Sequence, residues 1–259
     1  MLDIPAASCA FAVVLSVAAG FWLISAARKD VGIADSLWSL MFLIMLGVYQ
    51  YLTGASGARA WLVLALVTVW ALRLSIFITL RNHGQPEDRR YQTIRRNNEP
   101  HFAYKSLYIV FGLQAFLAGF IALPLLVASS SSAPLSWLDA LGMALWLLGM
   151  FFEVFSDAEL ARFKADPRNK GKVLDTGLWR FTRHPNYFGE FALWWGYFCL
   201  ALAAGGWWTV LSPLLMTVLL LKVSGVALLE KSIATRRPRY ADYIRRTNAF
   251  FPGPRRRSE

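Results

Sequence analysis

Two pairs of polar side chains stand four residues apart inside otherwise apolar segments. Glu153 and Asp157 form the first, in FFEVFSDAELARFKADP, and Asn186 and Glu190 the second, in RHPNYFGEFALWWGY. Residues at i and i+4 share a helical face, so each pair offers one line of hydrogen-bonding groups. Carboxylates and an amide placed so can bind ribose hydroxyls or a carboxamide. Lys164, seven residues beyond Asp157, lies near the same face. A solvated helix end would account for Glu159, Arg162 and Lys164, but Glu153 and Asp157 sit deeper in the apolar run than that.

A basic cluster precedes the second pair. Arg180, Arg183 and His184 crowd the residues before Pro185, and proline is tolerated in a first helical turn because its missing N–H is unneeded there. A helix start presents free N–H groups and the positive end of the dipole, so this stretch reads as a site for a phosphate or pyrophosphate. The loop LRNHGQPEDRRYQ, residues 80–92, adds a polar turn at Asn82, His83 and Gly84. Near the C-terminus, LLEKSIATRRPRYADYIRRTNAFFP joins Glu230 to a basic, tyrosine-bearing amphipathic tail suited to anionic lipid. Asp35, in GIADSLW, is the one acid deep in the apolar runs of the first half.

The elements that must position these residues are membrane helices. The chain has 259 residues, 56% apolar and only 17% charged, where a soluble domain carries about a quarter charged residues. A net charge of +11 in a soluble chain would suggest nucleic acid, but the long apolar runs reject that reading. Seven segments approach the roughly 20 apolar residues needed to span a bilayer: about 6–27, 32–52, 60–80, 106–127, 137–160, 187–204 and 207–229. All the Lys and Arg except Arg59, Arg73 and Lys222 fall in alternate loops and the tail. The positive-inside rule then places the N-terminus outside and the C-terminus in the cytoplasm, which requires an odd number of spans. The expected fold is thus an all-α integral membrane seven-helix bundle, one membrane domain over 1–259. Within it, spans one to four (about 6–127) form a greasy cavity, and spans five to seven with the tail (about 137–252) form a polar half.

Several chemistries lack their residues. No G-x-G-x-x-G follows a strand, and there is no P-loop, no H-E-x-x-H and no Cys/His cluster, so no metal site is expected. Cys9 and Cys199 both lie in apolar runs and read as inert thiols.

The run from Glu153 through TGLWRFTRHPNYFGE to Phe251-Pro252, with FxxSDAEL and LRNHGQP, resembles the steroid 5α-reductase family in a bacterial homologue. The agreement runs from about residue 30 onwards. The resemblance implies a multi-pass inner-membrane enzyme, monomeric, with NADPH bound on the cytoplasmic side and a lipid-soluble substrate among spans one to four. It places cofactor-binding groups at Asn82, Glu153, Asp157, Lys164, Asn186 and Glu190, with Arg183, His184 and Tyr187 of the RHPNY run beside them. Glu230, Arg236 and Tyr240 stand where the family has His and Tyr ligands in its last helix. The family's catalytic Glu on the second span is matched by Asp35, and Trp70 stands where a Tyr is expected on the third.

The implied reaction is NADPH-dependent reduction of the Δ4 double bond of a 3-oxo-Δ4 steroid or similar lipid enone. Hydride attacks the β-carbon and negative charge develops on the ketone oxygen, where a donor in a dry site stabilises it. Asp35 can donate if burial keeps it protonated. The RHPNY stretch is also similar to isoprenylcysteine carboxyl methyltransferases, so a membrane S-adenosylmethionine-dependent methyltransferase is the alternative. A lipid carrier without catalysis fits less well, because transporters tend to break helices at mid-membrane in both halves.

Overall fold

The computed structural model describes residues 2–223 and 240–256, so Glu230 and Arg236 lie outside the described residues. Among those described, the regular structure is helical, with one isolated bridge between Thr182 and Asn248. In chain order the helices are α1 (Ile4–Arg28), α2 (Ile33–Thr53), α3 (Ala58–Asn82), α4 (Arg89–Asn97) and α5 (Phe102–Ile121). They continue with α6 (Leu123–Ser129), α7 (Trp137–Ala165), α8 (Pro185–Ala203), α9 (Trp207–Val223) and α10 (Tyr240–Arg246).

Five of these, α1, α2, α3, α5 and α7, are long and apolar enough to cross a membrane, as a multi-pass integral membrane protein requires. The expected sixth span is α8, 19 residues long, whose Asn186, Glu190 and aromatic residues hold it below that apolarity. The expected seventh falls on α9, which opens as a 3-10 turn and is π-helical over Leu219–Val223, the last residues described before 240. The chain forms two compact units, residues 1–136 with 200–209 and residues 137–199 with 210–259.

In the first unit the helix ends are set by local chemistry. Asp3 caps α1 by accepting the Ala6 N–H at 2.9 Å, and Lys29 closes it in the left-handed region at φ 55°. Gly54 does the same for α2 at φ 65°. The buried core runs through Ala10, Val14, Leu37, Met41, Phe42, Leu46, Val63, Val67 and Trp70. Polar bonds cross it where a membrane interior offers no water: Ser39 Oγ donates to Ala71 O at 2.8 Å, and Gln50 Nε2 to Ala60 O at 3.0 Å.

In the second unit α7 and α8 run antiparallel in backbone contact. A Cβ on Gly189 would lie 2.6 Å from Gly149 O, and one on Gly196 would lie 2.6 Å from Gly142 O. Small residues at positions i and i+7 on both helices allow that approach, as membrane helices use generally. The seam carries a falsifiable consequence. Gly189→Val should destabilise the fold by about 1–3 kcal/mol, as overpacking does, and lower the thermal midpoint in detergent by roughly 2–10 °C. Gly47→Ala, where nothing lies within 4 Å of the added Cβ, should leave it unchanged or higher. Equal midpoints for the two variants would refute the seam.

Candidate functional site

Asp35 opens the first cluster. It lies in the first turn of α2, where the helix dipole favours a negative charge. Its Oδ2 accepts from Arg90 Nη2 at 2.8 Å and its Oδ1 from Tyr91 Oη at 2.5 Å. Both donors sit in the first turn of α4, which begins where it does because Asp88 caps it: Asp88 Oδ1 accepts the Arg90 N–H at 2.8 Å. Glu87 then fixes α4 against the α1–α2 loop. It takes both an Nε and an Nη2 bond from Arg95, at 3.1 and 2.8 Å, and accepts the Val31 N–H at 2.9 Å. Gln114 on α5 completes the line, donating from Nε2 to Tyr91 Oη at 3.3 Å.

The electrostatics follow from these contacts. Burial, the facing Asp35 carboxylate and the hydrogen bond to it push the Tyr91 phenol well above the usual tyrosine range, so it stays protonated. Burial opposes the Arg90 charge, but Asp35 and Asp88 outweigh it and raise the guanidinium. Burial likewise opposes the Asp88 charge, and the Arg90 side-chain and backbone bonds still hold its carboxyl below the ordinary value. Trp70 is wholly buried on α3, its ring edge-on to Phe42 with centroids 5.6 Å apart. Asn82 closes α3, its Oδ1 accepting from Arg81 Nε at 3.2 Å.

The second cluster lines the α7–α8 seam. Glu153, Asp157 and Glu190 are all buried. A Cβ on Gly189 would lie 2.9 Å from Glu153 Cγ, so that side chain runs directly over the glycine. Asn186 Nδ2 donates to Asp157 Oδ1 at 3.4 Å, Trp194 Nε1 to Glu190 Oε1 at 3.0 Å, and Trp146 Nε1 to Tyr197 Oη at 3.0 Å. The two four-residue pairs seen in the sequence therefore meet, while Trp146, Trp194 and Tyr197 join them unforeseen. Lys164 is exposed in the last turn of α7. His184 is buried and its ring stacks on Tyr187, centroids 5.6 Å apart.

The basic stretch before α8, where an anion site is expected, also ties the chain to α10. Arg183 is buried, and its Nη1 donates to the carbonyls of Ile244 and Thr247 at the C-terminal end of α10. Those carbonyls lack intrahelical partners, and an arginine satisfies them well. Thr182 Oγ1 donates to Phe250 O at 2.8 Å, Arg183 N–H to Asn248 O at 2.9 Å, and Tyr243 Oη to Trp179 O at 2.5 Å. Tyr240 is buried with its ring against Tyr243. Arg180 remains exposed.

The raised Tyr91 phenol fixes the sign of a pH effect. The folded chain holds that proton more tightly than the unfolded chain, so the contribution is full below about pH 10 and is lost as pH rises beyond it. Tyr91→Phe should therefore show a shallower alkaline loss of stability than the parent when denaturation midpoints are followed upward from about pH 9. Parallel curves would mean that Tyr91 is not held in this way.

Over 262 aligned residues the chain is 23% identical to an uncharacterized protein of Schizosaccharomyces pombe, covering 89% of this chain and 75% of that one. It is 35% identical over 66 residues to 3-oxo-5-alpha-steroid 4-dehydrogenase 1 of Bos taurus, a match spanning 26% of each chain. No solved structure matches. The family described as "Protein of unknown function (DUF1295)", of the steroid 5-alpha-reductase-like superfamily, matches residues 21–247, and the chain belongs to it.

Proposed function

We propose that this protein is a membrane reductase that uses NADPH to reduce lipid enones, adding hydride to the β-carbon of a 3-oxo-Δ4 steroid or similar substrate. The observation that carries the reading is the Tyr91–Asp35 hydrogen bond backed by Arg90: a protonated phenol, oriented by an ion pair, at the edge of an apolar helical unit. The partial match to the bovine steroid dehydrogenase favours it over methyl transfer.

The second cluster has the donor set for the cofactor's hydroxyl and amide groups. Glu153, Asp157 and Glu190 are acceptors for ribose hydroxyls or a carboxamide N–H, and Asn186 both gives and accepts. For phosphates, Arg162, Lys164 and Arg180 are exposed cations close in sequence to that cluster, and Arg183 also bonds α10. Tyr187, His184, Asn82 and Tyr240 stay with the cofactor in this reading, as do Glu230 and Arg236 beyond the described residues. Bound there, NADPH would supply the hydride.

The first cluster handles the carbonyl. Turning the Tyr91 O–H about its Cζ–Oη bond transfers its hydrogen bond from Asp35 to the substrate carbonyl oxygen. Arg90 keeps the released Asp35 carboxylate paired, and Gln114 Nε2 steadies Tyr91 Oη as charge grows on its partner. Tyr91 thus takes the donor role expected of Asp35, and Asp35 orients it. A proton taken up from water at the α-carbon completes the saturated ketone, leaving NADP+ and hydroxide neutralised by solvent. The reading retains seven spans, the N-terminus outside, an inner-membrane location and a cofactor side facing the cytoplasm, on the strength of the Lys and Arg distribution.

Purified protein given NADPH and progesterone or testosterone should consume the reduced nicotinamide and yield the saturated ketone. Tyr91→Phe should cut turnover by about 100-fold, the scale of one lost oxyanion donor, with NADPH affinity unchanged. Asp35→Asn should act in the same direction. Asn186→Ala and Glu190→Ala should abolish NADPH binding. No NADPH consumption, with methyl transfer from labelled S-adenosylmethionine instead, would establish the methyltransferase reading.

A further inference from the structure

Arg90, Asp35, Tyr91 and Gln114 form one line of hydrogen bonds, and its last atom is an acceptor with no donor among the described residues. Tyr91 gives its single proton to Asp35, so its Oη faces Gln114 as an acceptor and must meet the NH2 end of that amide. The other end, Gln114 Oε1, is buried and has no hydrogen-bond partner among the described residues. Buried acceptors are nearly always bonded, so one that is not is a candidate for a ligand contact.

The backbone places it there. Leu107–Gly112, immediately before Gln114, is a π-helical stretch, and such stretches shift the register of the side chains that follow. A Cβ on Gly112 would lie 3.1 Å from Leu107 O, so glycine eases that turn. The π stretch thus brings the only amide of α5 beside the only tyrosine of α4.

We infer that Gln114 is a specificity-determining residue whose Oε1 accepts a hydroxyl of the lipid ligand, next to the carbonyl that Tyr91 polarises. The ligand class is a lipid with a hydroxyl on the carbon beside its carbonyl, in which donor and acceptor oxygens are neighbours as Gln114 Oε1 and Tyr91 Oη are. The two oxygens of such a ligand match the two adjacent protein groups with opposite polarity. A ketone without the hydroxyl leaves Oε1 buried and unbonded. The inference rests on the reductase reading for its choice of probe.

The test is equilibrium binding without cofactor, followed by quenching of tryptophan fluorescence in detergent. The probes are androst-4-ene-3,17-dione and its 4-hydroxy derivative, which differ by the one hydroxyl. The hydroxy compound should bind the parent protein about tenfold more tightly, on the scale of one net hydrogen bond. Gln114→Met, of similar length and apolar, should bring the two affinities together. An affinity of Gln114→Met for androst-4-ene-3,17-dione equal to the parent's guards against a folding defect in that variant. Equal affinities in the parent, or a preference that survives in Gln114→Met, would overturn the inference. The preference without NADPH consumption by either compound would leave it standing and sink the reductase reading. NADPH consumption without the preference would do the reverse, and binding of neither compound would overturn the inference.

Discussion

A carboxylate at the head of a membrane-crossing helix has to be paired, and the pairing of Asp35 organises the first unit. Without Arg90 the half-buried Asp35 carboxylate would keep the Tyr91 phenol but lose its charge partner. Arg90 and Tyr91 are adjacent in sequence, so both reach Asp35 only if α4 begins at one register. Asp88 sets that register by capping the helix, and Glu87 fixes its direction through Arg95 and Val31. Two acids that look like loop decoration thus aim the two donors that meet the third. The geometry at Asp35 follows from a helix cap.

The second unit depends on a different constraint, the close approach of two backbones. Four glycines, Gly142, Gly149, Gly189 and Gly196, remove the side chains that would keep α7 and α8 apart. At such a separation, polar groups on the facing surfaces have little access to solvent or lipid. Glu153, Asp157, Asn186 and Glu190 line the end of the seam nearest the α7–α8 loop, with Trp146, Trp194 and Tyr197 bonding along its length. Glycine packing and the polar strip are therefore one feature. A wider helix pair would leave room for the strip to hydrate.

Much of this was legible in the sequence, and the remainder was hidden for physical reasons. Apolar run length revealed the five long membrane helices but not the shortfall of α8 and α9, and four-residue spacing revealed Glu153 with Asp157 and Asn186 with Glu190, because both signals are local. Asp35 stood out as a lone deep acid. Its partners did not, since Tyr91 lies 56 residues away and no spacing rule links them. Trp70 was expected in the phenol's place on a third-span register, whereas the phenol against Asp35 comes from α4, a helix short enough to read as loop. The π stretch before Gln114 leaves no mark in the apolar pattern, because Leu107–Gly112 is as apolar as an α-helical turn would be.

Arg183 shows what else a basic residue at a helix start can meet. The same position satisfies both readings, since a guanidinium there can meet a phosphate or the free carbonyls of another helix's C-terminus. Here α10 supplies those carbonyls, and the result is a clasp between segments about sixty residues apart, completed by Thr182, Tyr243 and Trp179. Burial raises the Tyr243 phenol, which keeps the donor of that clasp protonated. The clasp holds the start of α8 from outside, where Phe250 and Phe251 pack on Phe188 and Phe191. Asn186 and Glu190 are then fixed from both directions, by the glycine seam on one face and by the tail on the other. Positional precision of that kind is what a hydrogen-bonding strip needs in order to discriminate one ligand from another.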